Sequence, residues 1–103
     1  MKRVIVLYGK PASPDAFEKH YLDIHVPLVK RMPHLKGFEY SRGAVAASSP
    51  EGGWHFVAIL TYASQADLDA SLASPEGQAA VADVANFATG GAQILTVETV
   101  AAL

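Results

Sequence analysis

The sequence predicts an α+β fold, with one four-stranded antiparallel sheet carrying helices on one face, and three observations lead there. Apolar runs rich in β-branched residues alternate with amphipathic helical stretches in the order βαββαβ. Serines stand at the helix starts, each followed by proline or, three residues on, by aspartate. The whole pattern fits in 103 residues, about half of them apolar, which is one domain over residues 1–103.

The first run, KRVIVLY at Lys2–Tyr8, ends at Gly9 with Pro11 close behind and reads as a buried strand. A helix follows. Ser13 is its cap, Pro14 fits the first turn because its missing N–H would have been unpaired there, and Asp15 suits the positive end of the dipole. Phe17, Tyr21, Ile24 and Leu28 recur at helical spacing and define its apolar face. Pro27 removes the N–H that would bond the Asp23 carbonyl and disfavours helical geometry at Val26, so the spacing predicts a kink or break at residues 25–27.

FEYSRGAVA alternates like a second strand over residues 38–46, and SSPEGG at 48–53 is a loop. WHFVAILTY at 54–62 is a strongly apolar third strand. Ser64 with Asp67 caps a short helix running to about Leu72. Ser74 and Pro75 start another, which QAAVADVANF continues until Gly90 and Gly91 end it; AQILTVETV is the last strand. This is the ferredoxin-like arrangement.

A sheet with one face in water alternates apolar and polar residues, and the two central strands do not. Val4, Val6 and Tyr8 interleave with Ile5 and Leu7; Trp54, Phe56, Ala58 and Leu60 interleave with Val57 and Ile59. Helices cover only one of those faces. The other needs a partner, for which a second copy of the same sheet is the simplest candidate, so a homodimer is expected.

Eight Lys and Arg against ten Asp and Glu, with no basic run, argue against a nucleic-acid partner. The absence of cysteine excludes disulfides, thiol nucleophiles and Cys-based zinc sites. The apolar run after the initial Lys2–Arg3 pair is too short for a signal peptide or a membrane span, so no membrane association and a cytoplasmic location are expected.

Chemistry concentrates in HYLDIHVPLV, residues 20–29, where His20 and His25 fall on opposite shoulders of the apolar stripe. His25 lies one turn beyond Tyr21, at the expected helix break, and a histidine titrates near neutrality. The plainer alternative makes both histidines boundary residues with wet nitrogens. His34 and His55 read as structural or surface residues. His20 and Asp23 have ligand spacing, but Asp23 points outward, so no metal site is expected. No phosphate loop, dinucleotide fingerprint, G-x-S-x-G or H-E-x-x-H occurs.

The stretch LYGKPASPDAFEKHYLDIHVPLVKRMPHLKGFEYSRG resembles the signature of the EthD proteins, a family of the dimeric α+β barrel superfamily named for ethyl tert-butyl ether degradation. The residues that carry the likeness are Tyr8, Pro11, Phe17, Tyr21, the H-x-P-L of His25, Pro27 and Leu28, then Met32, Pro33 and Leu35. SPEGQAAVADVANF is also similar. His34 stands where relatives commonly carry Gly, and Ile59 and Thr61 stand where many carry an acid and an aromatic, which leaves His25 without an evident carboxylate partner.

The resemblance implies a barrel built from two sheets and, in each subunit, a pocket between helices and sheet with His25 at its edge. The expected occupant is a small apolar, phenolic or lactone metabolite. His25 is the expected general acid/base, with Tyr21 beside it and Tyr8, Phe17, His20, Leu28 and Tyr40 binding the substrate. A cofactor-independent oxidoreductase, isomerase or cyclase would fit. The alternative is a non-catalytic accessory or metabolite-binding protein of a degradation pathway. No cofactor is expected, haem being the alternative.

Overall fold

The computed structural model describes residues 1–49, 51 and 53–103; Pro50 and Gly52, within the expected 48–53 loop, lie outside it. The chain runs β1 (Lys2–Tyr8), α1 (Pro14–His20), a π-helical turn (Tyr21–His25), α2 (Val26–Lys30), β2 (Gly37–Tyr40), β3 (Phe56–Tyr62), α3 (Gln65–Ala73), α4 (Pro75–Phe87) and β4 (Ala92–Glu98). All strand pairings are antiparallel and the sheet order is β2-β3-β1-β4. The expected α+β, ferredoxin-like fold is the one found.

The caps act as their chemistry requires. The hydroxyls of Ser13, Ser64 and Ser74 accept from the N–H of Ala16, Asp67 and Gly77, the third residue beyond each cap. Gly77 also lets α4 pack tightly: a Cβ there would lie 2.0 Å from the Ser71 carbonyl oxygen, so only glycine brings the start of α4 this close to the end of α3. His34 adopts φ 65°, the left-handed region that glycine enters more freely than a residue with a side chain.

Two expectations on the strands change. β2 ends at Tyr40 rather than continuing to residue 46, and β3 begins at Phe56 rather than Trp54. The Ser41 hydroxyl accepts from the Val57 N–H while its own N–H bonds the Val57 carbonyl, which closes the β2–β3 ladder at that point.

The larger correction concerns the first helix. Pro27 does not break it: the chain stays helical to Lys30, because the preceding turn widens and the Val26 N–H bonds the Tyr21 carbonyl, five residues back. A wider turn around Asp23 relieves the clash between the Pro27 ring and the Asp23 carbonyl. It also re-registers the buried face. Regular α geometry would place Phe17, Tyr21, Ile24 and Leu28 inside; the buried positions are Phe17, Tyr21, His25 and Val29, with Ile24 exposed. One extra residue in the turn has moved a histidine into the core stripe.

Strand parity is set by the same packing. Phe56, Ala58, Leu60 and Tyr62 of β3 and Val6 and Tyr8 of β1 are buried beneath the helices. Ile5, Leu7, Val57, Ile59, Leu95 and Val97 therefore form the opposite face, where Leu95, Ile5 and Ile59 lie side by side across three strands. Ile59 and Thr61 belong to this face too, and Thr61 accepts from Arg3 Nη1 at 2.7 Å. An acid at either position would not have reached His25. Among the described residues, no helix is long and apolar enough to cross a membrane.

Candidate functional site

Between the helices and the sheet lies a cavity of about 310 Å³, walled mostly by aliphatic and aromatic side chains. Its lining draws on two core clusters, one around Tyr8, Phe17, Tyr21 and Phe87, the other around Val29, Met32, Leu60 and Tyr62. The Tyr62 hydroxyl is 2.9 Å from Ser71 Oγ, so that buried pair satisfies itself. Leu72, Val81 and Ile94 line the cavity yet are exposed, which places its mouth between α4 and the uncovered β4.

His25, Tyr21 and Tyr8 all line this cavity. The Tyr21 and His25 rings lie 5.1 Å apart between centroids. His25 is only 4 % exposed, and its Nδ1 lies 3.0 Å from Asp83 Oδ2. Asp83, on α4, is the residue that the sequence reading missed. It is buried at 6 % exposure and gathers a second imidazole, with His20 Nε2 at 2.9 Å from Oδ1 and 3.1 Å from Oδ2, while Asn86 Nδ2 donates to Oδ1 at 3.0 Å. The missing carboxylate partner of His25 is therefore present on another element. A signal for it existed: Gly77, Ala80, Asp83 and Phe87 are the buried positions of α4, so an acid sits inside that helix's inward stripe.

The two histidines thus converge on one carboxylate rather than occupying opposite shoulders. Of the other expected binding residues, Tyr8 reaches the cavity but Phe17, His20, Leu28 and Tyr40 do not line it. Phe17 is packed among Tyr8, Phe56 and Phe87; the widened turn leaves Leu28 on the flank; Tyr40, at the exposed end of β2, backs the Tyr21 ring from 5.6 Å. Among the described residues, no group of His, Asp or Glu is arranged to hold a metal ion. The polar atoms of His20, Asp83 and His25 face one another at hydrogen-bond distance instead.

An ionised carboxylate only accepts, so the geometry assigns the protons: His25 donates from Nδ1–H and His20 from Nε2–H. That leaves His25 Nε2 with its lone pair. Burial lowers the His25 pKa below its ordinary value, the bond and charge of Asp83 oppose this, and His20 adds to the lowering. Burial pushes the Asp83 carboxyl up, but the bonds from Asn86, His20 and His25 outweigh it and hold the group below the usual range. Burial raises both phenols: Asp83 adds to the effect at Tyr8, and Tyr8 and Tyr40 add to it at Tyr21, so both stay protonated donors at neutral pH. The wall thus brings the neutral His25 imidazole together with the protonated phenols of Tyr8 and Tyr21 among mostly apolar side chains.

Because the folded pKa of His25 is depressed, the unfolded chain binds more protons as pH falls below the ordinary histidine value of about 6.5. Stability from this group is complete above that value and is lost on acidification; the depressed Asp83 acts in the same direction at lower pH. The melting temperature is expected to fall between about pH 7 and 5, and His25→Gln to flatten that fall. Equal slopes for parent and variant in thermal scans across this range would contradict the assignment.

The comparisons agree with this architecture. The EthD domain matches residues 10–91. An uncharacterised 11.0 kDa protein from the thcB–thcC intergenic region of Rhodococcus erythropolis is 43 % identical over 95 residues, covering 92 % of this chain and 91 % of the relative. Among solved structures, an ethyl tert-butyl ether degradation (EthD) family protein from Bacillus halodurans is 26 % identical, with TM-score 0.86 over 97 % of this chain and 99 % of that one. A dimeric ferredoxin-like protein of unknown function from Thermobifida fusca is 19 % identical, with TM-score 0.71 over 95 % and 90 % of the two chains, and shares the fold. With the family domain spanning most of its length and the fold matching throughout, this chain belongs to the EthD family.

Proposed function

We propose that this protein binds a small, largely apolar molecule bearing one acidic C–H or O–H, a phenol, enolisable ketone or lactone, and moves that proton with His25. The observation that carries the proposal is the hydrogen bond from His25 Nδ1 to the buried Asp83, which leaves Nε2 available at an apolar cavity. Among the described lining residues, His25 is the one imidazole, and its lowered pKa keeps it in the neutral, basic form at pH 7. In the proposed step, Nε2 accepts the proton, the resulting imidazolium is stabilised by Asp83, and Tyr21 or Tyr8 donates to the oxygen that gains charge. Returning the proton at another atom completes an isomerisation or cyclisation without redox change and without a cofactor. The cavity, about 310 Å³, is at the small end of ligand sites and suits one or two fused rings.

The test is hydrogen exchange. Phenols, 1,3-diketones and unsaturated lactones are incubated with the protein in D2O with no added cofactor, and carbon-bound deuterium is followed by NMR. The parent is expected to accelerate exchange for at least one class. His25→Gln should slow it by about 10² or more, and Tyr21→Phe by less, since it removes a donor and leaves the base. Binding without exchange, equally tight in parent and His25→Gln, would favour the accessory role.

The assembly is proposed as a homodimer through the outer sheet face. Six aliphatic side chains from three strands lie there, with no helix above them among the described residues, and the Thermobifida fusca relative is described as dimeric. Light scattering at micromolar concentration should give twice 10.9 kDa. Ile59→Asp, which would bury an unpaired charge, should aggregate or unfold; a stable parent monomer would contradict the proposal.

A further inference from the structure

Asp83 joins two imidazoles that differ in their access to water. The side chain of His20 is 23 % exposed and that of His25 is 6 % exposed, while the carboxylate between them is 7 % exposed. The Phe87 ring fills the remaining space, stacked against His20 at 5.3 Å and tilted against His25 at 4.7 Å. A proton arriving from solvent therefore meets His20, while one arriving from a ligand meets His25. We propose that His20 is a positioning residue for His25: both rings draw on the single carboxylate of Asp83, so the charge on the solvent-side ring sets how firmly the cavity-side ring can hold a proton.

One negative charge compensates one imidazolium well. When His20 is neutral, the whole charge of Asp83 supports a proton on His25. When His20 is charged, its two contacts with Asp83 at 2.9 and 3.1 Å become an ion pair and the support for His25 weakens. Other groups do not compete for this role. Asn86 on α4 bonds Asp83 but does not titrate; Tyr21 on the same helix as His25, and Tyr8 and Tyr62 from the sheet, have phenols raised above their ordinary range and stay neutral. Within that circle of groups, His20 is the other ring that can place a positive charge against Asp83. A positive charge on His20 would thus weaken the cavity base from the solvent side.

The role presupposes the His25 base proposed above, but it is tested without a ligand. Imidazole NMR titrations would follow His25 in the parent, in His20→Asn, and in His20→Phe, which keeps a ring on Phe87 and removes the charge. Both variants should raise the His25 midpoint by roughly half a pH unit or more, with the fold unchanged by circular dichroism. In an Asp83→Asn background the same His20 substitutions should shift His25 by less than half as much, since the shared carboxylate is gone. An unchanged or lowered midpoint in the single variants, or an equal rise in the Asp83→Asn background, would overturn the coupling. A failed coupling leaves the exchange experiment standing, and a protein that exchanges no substrate can still show the coupling, so the two failures are distinguishable.

Discussion

A carboxylate that loses its water must find donors elsewhere, and Asp83 finds them in His20, His25 and Asn86. Leaving it short of partners would cost on the order of 1–3 kcal/mol or more, so the fold is constrained to keep all of them in place. Two of those donors lie on the first helical segment and the acceptor lies on α4. The bond set therefore fixes how the two helical layers sit over the sheet, and with it the width of the cavity between them. The same contact chooses the tautomer of His25, a residue that lines the cavity. Structure and proposed chemistry rest on one acid.

The π-helical turn is the second half of that arrangement. A regular helix would have put Ile24 and Leu28 in the stripe, with His25 on the shoulder. The extra residue brings His25 and Val29 beneath Tyr21, and His25 within reach of α4. Pro27 supplies a local reason for the wide turn, since its ring cannot sit against the Asp23 carbonyl in a straight helix. The proline that looked like a stop signal is accommodated instead. Its effect is on register, one turn earlier, where the histidine stands.

Much of this was legible in the residues. β1, the caps at Ser13, Ser64 and Ser74, the restart at Pro75 and the double-sided apolar character of β1 and β3 follow from short-range rules and appear in the fold as read. Tyr8, Tyr21 and His25 were placed near one another by helical spacing and by resemblance, and all three line the cavity. What was not legible depends on distance along the chain. Asp83 is 58 residues from His25, and no periodicity within either helix says which faces meet. The inward stripe of α4 could have marked it as an acid needing a partner, but not which partner. Leu28 stands off the cavity for a local reason, a helix that winds loosely.

The tautomer of His25 decides whether Asp83 sets up a base at the cavity. At a pH where the ring is neutral, nitrogen-15 NMR separates an N–H nitrogen from one bearing a lone pair. A proton on Nδ1 and a bare Nε2 are expected in the parent, with that preference lost in Asp83→Asn. A neutral His25 with its proton on Nε2, or an unchanged tautomer without the carboxylate, would contradict this role of Asp83.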